Sequence, residues 1–350
     1  VTGDKTVTRH TSRVTLKIFI FAPNTTPMYL LTGATGFLGP PVLLQILQHG
    51  EKVRALRRAG SSLVSVEAYF KRHKAESLLR QVEWFEGDLL DPLSVLDAMQ
   101  GITHVIHAAG FISFDARDKQ KLYDINMGGT ARVVNSALAC GVKKLLYVSS
   151  VAALGAVSDS VMSEKTPWIY GDSKYAGERE VWRGMEEGLN VIIAEPSIIL
   201  GYGDAAKGGP SICRNVKNGL SYYPVGSHGY VGTEDVARAV MLLMNSERIN
   251  EKFIISAGNY RHREILADIA TAVGSKAPEK KATAWMLGLV WRWEWIAARI
   301  KKRKARITRE LALTMQADLS FSGTKMLEID GFHYTPIGKA IEDMAGQCSS

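Results

Sequence analysis

Three cysteines, Cys140, Cys213 and Cys348, are all that 350 residues contain. They are too few and too scattered for a disulfide framework or a zinc site, so a reducing compartment is expected. No run reaches 18 apolar residues, so no membrane-spanning helix is expected. The N-terminal KIFIFAP is too short for the apolar core of a secretion signal, and no small-residue cleavage site follows it. A cytoplasmic location is the expectation. His104 and His107, three apart on an extended segment, face opposite sides, and no metal is expected there.

Acid is missing from two stretches. Between Arg299 and Arg309 stand seven cations and no carboxylate, and residues 1–27 carry a net +3. The whole chain is only +8, so everything else is slightly acidic. The basic character is local, which argues against a nucleic-acid-binding body and against nucleic acid as a partner. Charged residues make up 22% and hydrophobic ones 46%, the balance of a folded protein and not of a disordered one.

What is present is an alternation. Apolar runs at 29–31, 53–56, 82–85, 104–109, 144–150 and 190–196 read as strands. Helical patterns at 37–49, 92–99, 120–140 and 170–188 lie between most of them, with a further helix predicted over 64–80. Near-continuous hydrophobicity in the strands fits a sheet covered on both faces. The predicted fold is α/β, a doubly wound parallel sheet of Rossmann type, with a smaller and mainly helical C-terminal substrate lobe. Residues 28–195, with 230–258 returning to them, are expected to form the dinucleotide-binding domain, and 196–229 with 259–350 the lobe. Residues 1–27 form an extension expected to contribute little, with MYLLTGATG as the functional start.

The string TGATGFLG joins the first strand to a helix. Gly33 allows the tight turn, Gly36 lets a pyrophosphate approach the backbone, and Gly39 permits close helix–sheet packing. The second strand runs into ALRRAGSS, where an acid would select NAD. Arg57 and Arg58 stand there instead and suit a 2′-phosphate, so NADP is the expected cofactor and NAD the alternative. Asp88, ending the third strand in EGDLLD, is placed to accept from an adenine amino group. Asp91 before Pro92 reads as a helix N-cap. Ala108, Ala109 and Gly110 leave room beside a cofactor.

YGDSK puts Tyr170 and Lys174 one turn apart on one helix face. A phenol titrates near ~10, and a neighbouring ammonium favours its ionised form, so Tyr170 is a candidate acid/base for a carbonyl/alcohol pair. Ser149 and Ser150, at the end of a strand, offer hydroxyls to the substrate oxygen.

With these motifs in this order, followed by PSIILGYGD and VGTEDVARAV, the chain resembles the extended short-chain dehydrogenase/reductase superfamily, of the NAD-dependent epimerase/dehydratase type. The resemblance runs from about residue 28 to about 342. EPSIILGYGD with YVSSVAALG is most similar to the branch of dihydroflavonol reductases and 3β-hydroxysteroid dehydrogenases. The resemblance implies Ser150, Tyr170 and Lys174 as catalytic residues, with Asn126 of INMGGT assisting a proton relay. It implies cofactor contacts at Gly33, Thr35, Gly36, Phe37, Leu38, Gly39, Arg57, Arg58, Asp88, Leu89, Ala108, Ala109, Gly110, Lys174, Pro196 and Ser197. Phe111, Phe114 and Tyr202 are candidate walls of the substrate pocket.

The expected activity is hydride transfer between a nicotinamide and a carbonyl or secondary alcohol of a fairly apolar small molecule. The alternatives are a nucleotide-sugar epimerase with tightly held NAD and, in a different class, a non-catalytic NADP-binding redox sensor or membrane-associated scaffold. A homodimer is an open option. The tryptophan-rich segment 284–309 suits either a membrane surface or packing into the substrate lobe, and packing is the expectation.

Overall fold

The computed structural model describes residues 27–155, 168–203, 208–301, 303–305 and 307–348. Of the N-terminal extension only Pro27 falls among them, so the expectation for that segment lies outside the described residues.

The strands are β1 Met28–Thr32, β2 Lys52–Arg57, β3 Val82–Glu86, β4 His104–His107, β5 Lys144–Val148, β6 Val191–Pro196, β7 Ile198–Leu200, β8 Tyr222–Pro224, β9 Ser227–Gly232, β10 Glu251–Ile255, β11 Gly258–Arg261 and β12 Lys280–Ala282. The helices are α1 Gly39–Gln48, α2 Val64–Arg72, α3 Pro92–Ala98, α4 Lys119–Tyr123, α5 Thr130–Ala139, α6 Ile169–Glu186, α7 Gly208–Lys217, α8 Thr233–Asn245, α9 His262–Ala272, α10 Ala284–Ile300, α11 Arg309–Thr314 and α12 Ile337–Cys348.

Seven strands form one sheet in the order β10-β6-β5-β4-β1-β2-β3, and every pairing in it is parallel. Chain direction across the sheet reverses between β1 and β4, and the C-terminal ends of these strands are where a ligand crevice forms in such sheets. The alternation of side chains along β1 shows why both faces must be covered. Tyr29 and Leu31 enter a core with α1, α2 and α8, while Leu30 enters the opposite core with α3, α5 and α6. Leu30 and Leu31 have no exposure at all, and each such burial is worth about 1.5–3 kcal/mol.

A third core joins α7, α9 and α12 around Tyr230, Ile265 and Met344. Strands β7, β9 and β11 make a small sheet beside it, and β8 pairs with β12. Within the main sheet and its covering helices, Lys144 ties β5 to α8. Buried on β5, it donates to the carbonyls of Leu243 (2.7 Å), Met244 (3.2 Å) and Ser246 (2.7 Å) at the end of α8. An ammonium at a helix C-terminus satisfies carbonyls that have no partner within the helix.

Two predicted helices are broken. The segment predicted as 120–140 comprises α4, a π-turn at Asp124–Gly129 and α5. The adjacent Gly128 and Gly129 leave the backbone free to take the wider turn, and π-turns recur at functional sites. The helix predicted over 64–80 stops at Arg72, and a 3₁₀ segment, Glu76–Gln81, follows. Lys74 between them has φ of 52°, outside the helical region.

Candidate active site

The glycine turn leaves β1 with Gly33 at φ of 78°. A Cβ on Gly33 would lie 2.7 Å from the amide nitrogen of Ala109, and one on Gly39 would lie 2.3 Å from the carbonyl oxygen of Ala34. Neither position admits a side chain, so the turn packs directly on the end of β4 and brings Ala108 and Ala109 beside it. Ala109 is held there by donating to the Thr32 hydroxyl (3.2 Å). Thr32 also bonds His107 Nδ1 (2.6 Å), whose Nε2 meets the Thr130 hydroxyl (3.0 Å). Burial and the nearby Lys174 push His107 down to about 3, so it stays neutral and acts as a strut between β1 and α5.

A cavity of about 730 Å³ opens at the ends of β2 and β3, lined by Arg58, Gly60, Ser61, Asp88, Ser94 and neighbouring residues. Asp88 is oriented by donation from the Leu90 amide to its carboxylate (2.9 Å) and by its own amide on Ser94 (3.0 Å). Asp91 caps α3 by accepting from Leu93 (3.1 Å). Arg57 stands over the Trp84 ring, and its Nε is buried without a hydrogen-bond partner. A buried donor left unpaired costs about 1–3 kcal/mol. Together with a turn that excludes side chains, this fits a dinucleotide whose adenosine end reaches the ends of β2 and β3.

Ser149 and Ser150 leave β5 in opposite directions. Ser149 is buried and donates to the Glu178 carboxylate. Ser150 caps the short helical turn Val151–Leu154 by accepting from Ala152 (3.2 Å), and its hydroxyl is near enough to Tyr170 to favour the ionised phenol. The ring of Phe114 meets Tyr170 edge-on at 5.7 Å. Lys174, one turn along α6, is buried and donates to the carbonyl of Val148 (2.8 Å), with its ammonium 4.3 Å from the centre of the Tyr147 ring. Gly110 completes the ring of residues. A Cβ there would sit 3.4 Å from Asn126 Oδ1 and 3.7 Å from Lys174 Nζ, so the missing side chain leaves the space between them open.

Asn126 ties this cluster together. It accepts from the Phe111 amide (2.7 Å), donates to the Phe111 carbonyl (2.9 Å) and donates to Ser173 (2.9 Å). Ser173 in turn donates to the Tyr170 carbonyl (2.7 Å). The loop after β4 and the start of α6 are thus held by one amide in the π-turn.

The electrostatics differ from the sequence reading in one respect. Burial pushes Tyr170 up to about 12, and the nearby Ser150 hydroxyl offsets part of that rise. Burial also pushes Lys174 down to about 7, against an upward pull from Glu178. The expectation that the ammonium makes the phenol acidic is therefore corrected. Desolvation outweighs it, because Lys174 is directed at the Val148 carbonyl and the Tyr147 face.

Of the other predicted residues, Phe111 places its ring under two ammoniums, 4.5 Å from Lys121 and 5.6 Å from Lys304. Leu89 packs against Gly129. Ser197 bonds the Ile255 carbonyl (3.3 Å) just after Pro196 ends β6. Phe37 fills the space left by Gly203 and Gly208, beside the buried Leu38 and the half-buried Thr35. Tyr202 is not brought to Tyr170. Its ring meets Tyr69 at 6.2 Å and lies under Arg72 at 4.9 Å, on the α2 side of the glycine turn. Tryptophan packing in 284–309 is corrected in part: Trp291 packs against the cluster of Ala282, Leu287 and Ala312, while Trp285, Trp293 and Trp295 are exposed.

Sequence reasoning missed the support behind the site. Glu178 and Glu195 are buried and share one cation, Lys252, at 2.7 and 2.9 Å. Glu178 lies one turn beyond Lys174, a spacing that carries the signal; Lys252 is remote in sequence and carries none. Glu310 on α11 accepts from the Ile169 amide (3.1 Å), capping α6 from 141 residues away. Among the described residues no group of His, Cys, Asp and Glu is placed to hold a metal ion.

Over residues 29–258 the chain matches the NAD dependent epimerase/dehydratase family. It is 26% identical over 330 residues to a putative dihydroflavonol 4-reductase of Synechocystis sp., covering 90% of this chain and 92% of that protein. It is 28% identical over 258 residues to sterol demethylase protein B of Methylococcus capsulatus, covering 71% and 75%. The solved structure of gox2253 superposes with a TM-score of 0.73 at 30% identity, covering 91% of this chain and 97% of that one.

Proposed function

Because the chain belongs to the NAD-dependent epimerase/dehydratase family and is an NAD(P)-dependent oxidoreductase, we propose that it is an NADP-linked carbonyl reductase/alcohol dehydrogenase acting on an apolar, ring-bearing substrate. The observation that carries this reading is the grouping of Tyr170 with Lys174 one turn along α6 and Ser150 nearby, with Phe114 edge-on to the phenol and open space at Gly110.

The bound nicotinamide supplies the hydride for reduction or accepts it in oxidation. Tyr170 gives its phenolic proton to the substrate oxygen as the carbonyl becomes an alcohol, and takes it back in the reverse direction. A phenol held at about 12 is fully protonated at neutral pH, which suits the donor role. Ser150 orients the same oxygen and stabilises charge developing on it. Lys174 holds the ribose hydroxyls of the cofactor. Asn126 keeps the loop at Phe111 and the start of α6 in register.

Phe114, edge-on to Tyr170, supplies an apolar wall. A dihydroflavonol and a sterol, the compounds in the two relatives' names, are polycyclic and largely apolar, which supports the same substrate class. Preference for NADP rests on Arg57, with its unpaired buried Nε, and on Arg58 at the cavity wall.

Cofactor oxidation measured against aldehydes, ketosteroids, flavanonols and acyl-CoA thioesters tests this reading. The expected result is turnover of at least one apolar ketone, faster with NADPH than with NADH. Purified protein that retains NAD and consumes no added NADPH would replace it with the epimerase reading.

A further inference from the structure

Helix α10 is turned the wrong way round for a helix of a soluble protein. Trp285, Leu289, Trp293, Ile296 and Ile300 fall on one stripe at helical spacing, and all are exposed, Trp293 to 71% and Ile300 to 76%. Leu287 and Ala298, on the opposite side, are its only buried residues. Packing on the protein therefore explains the inner face and leaves five large apolar side chains in water, a contiguous patch that ordinary soluble surfaces avoid.

The flanks of this stripe on the helix are basic. Arg292 and Arg299 flank it on the same helix and Lys301 follows it, all exposed; Lys280 and Lys281 precede the helix, after Glu279, which pairs with Lys276 (3.3 Å). Arg292 and Arg299 lie over Trp291 and Trp295. The one carboxylate of the helix, Glu294, is off the stripe and engaged with Arg303 (2.8 Å). A second copy laid on this helix would bring Arg292, Arg299 and Lys301 against their own kind, with Glu294 already held by Arg303. A surface of anionic phosphates complements the flanks, and a hydrocarbon boundary complements the stripe.

We propose that the outward face of α10 docks the protein on an anionic phospholipid surface. The tryptophans and aliphatic side chains enter the headgroup–acyl boundary, and Arg292, Arg299 and Lys301 lie among the phosphates. The helix lies in the plane of the surface, since among the described residues no helix is long and apolar enough to cross a membrane.

The docking face is joined to the loop after β4. Beyond α10, the Arg303 carbonyl accepts from Arg117 (2.9 Å), and Lys304 pairs with Asp118 (2.6 Å) and stands over Phe111. These residues belong to the loop that carries Phe114 to Tyr170, so a surface-bound protein holds that loop near the lipid.

The test is co-sedimentation of the full chain with vesicles of phosphatidylcholine and phosphatidylglycerol, compared with phosphatidylcholine alone, at low and high salt. No turnover is measured, so failure here and failure of the proposed reaction are separate results. Binding is expected to the mixed vesicles, weakened by salt. The double variant Leu289→Ser, Trp293→Ser is expected to lower it at least about tenfold, and so is Arg292→Glu, Arg299→Glu. Both variants should melt like the parent, because all four side chains are exposed. No vesicle binding, binding that ignores lipid charge, or variants that bind like the parent would each overturn the proposal. So would a homodimer that Trp293→Ser dissociates in the absence of any vesicle binding.

Discussion

Helices α6 and α10 are nearly equal in length, 18 and 17 residues, and follow opposite rules. Helix α6 takes polar side chains inside: Ser173, Lys174 and Glu178 are all nearly or fully buried. Helix α10 leaves apolar side chains outside. Burying a lysine and a glutamate costs free energy unless each finds a partner, and here each does, through the Val148 carbonyl, Ser149 and Lys252. No comparable compensation within the described residues covers the outward stripe of α10. In both helices the departure from hydrophobic-inside, polar-outside ordering marks the residues assigned a task, inward chemistry for one and an outward surface for the other.

The contrast can be broken most severely at Tyr170. Tyr170→Phe removes the proton donor while keeping the ring that Phe114 packs against. Turnover is expected to fall by about 10²–10⁴-fold with NADPH affinity nearly unchanged. Steady-state rates with a fluorescence titration of NADPH check this, and undiminished turnover would take Tyr170 out of the reaction.

Lys252→Met attacks the inside of α6 by leaving Glu178 and Glu195 without their cation. Unfolding in urea should show a loss of about 3 kcal/mol, within the range for a broken buried ion pair. Glu195 is already pushed up to about 8 by burial and by Glu178. The loss should therefore be smaller at acid pH, where Glu195 is protonated, than at alkaline pH.

Glu310 sharpens the comparison through pH. Accepting from the N-terminus of α6 favours its carboxylate, but burial is the larger influence and holds it up at about 7 from 4.5. Between those values the folded protein keeps a proton that the unfolded chain has shed. Its contribution is thus fully present below about 4.5 and is lost as the pH rises through about 7, by an amount on the order of 2–3 kcal/mol. Glu310→Gln, which retains an acceptor for Ile169, should flatten that part of the stability–pH curve. An unchanged curve would mean that the carboxyl is ionised throughout.

The smallest effect is expected on α10. Trp293→Ser should change the unfolding free energy by no more than about 0.5 kcal/mol, because the side chain touches little of the protein. A loss of several kcal/mol would mean that the stripe is covered in the folded chain.

Much of this was legible from local pattern. TGATGFLG between a strand and a helix, and Tyr170 four residues before Lys174, are short-range signals whose geometry follows from one turn of backbone. The choice of Ser150 over Ser149 is legible only through resemblance; in the structure the reason is physical, since Ser149 is committed to Glu178. The place of Tyr202 was not legible because an aromatic after a strand can turn either way, and its neighbours Tyr69 and Arg72 lie 130 or more positions earlier in the sequence. Segment 284–309 was misjudged because its apolar residues encircle the helix, and periodicity alone does not say which side meets the body.

The amino-acid sequence by itself determined the parallel α/β architecture, the tight glycine turn after the first strand and the tyrosine–lysine pair. Each depends on residues within a few positions of one another, where backbone geometry fixes the outcome. Tertiary structure alone decided which serine lies near the tyrosine, that Lys252 and Glu310 serve α6 from afar, and that α10 turns Trp285, Trp293 and Trp295 outward. Those outcomes depend on burial and on partners distant along the chain, and neither exists until the chain has folded.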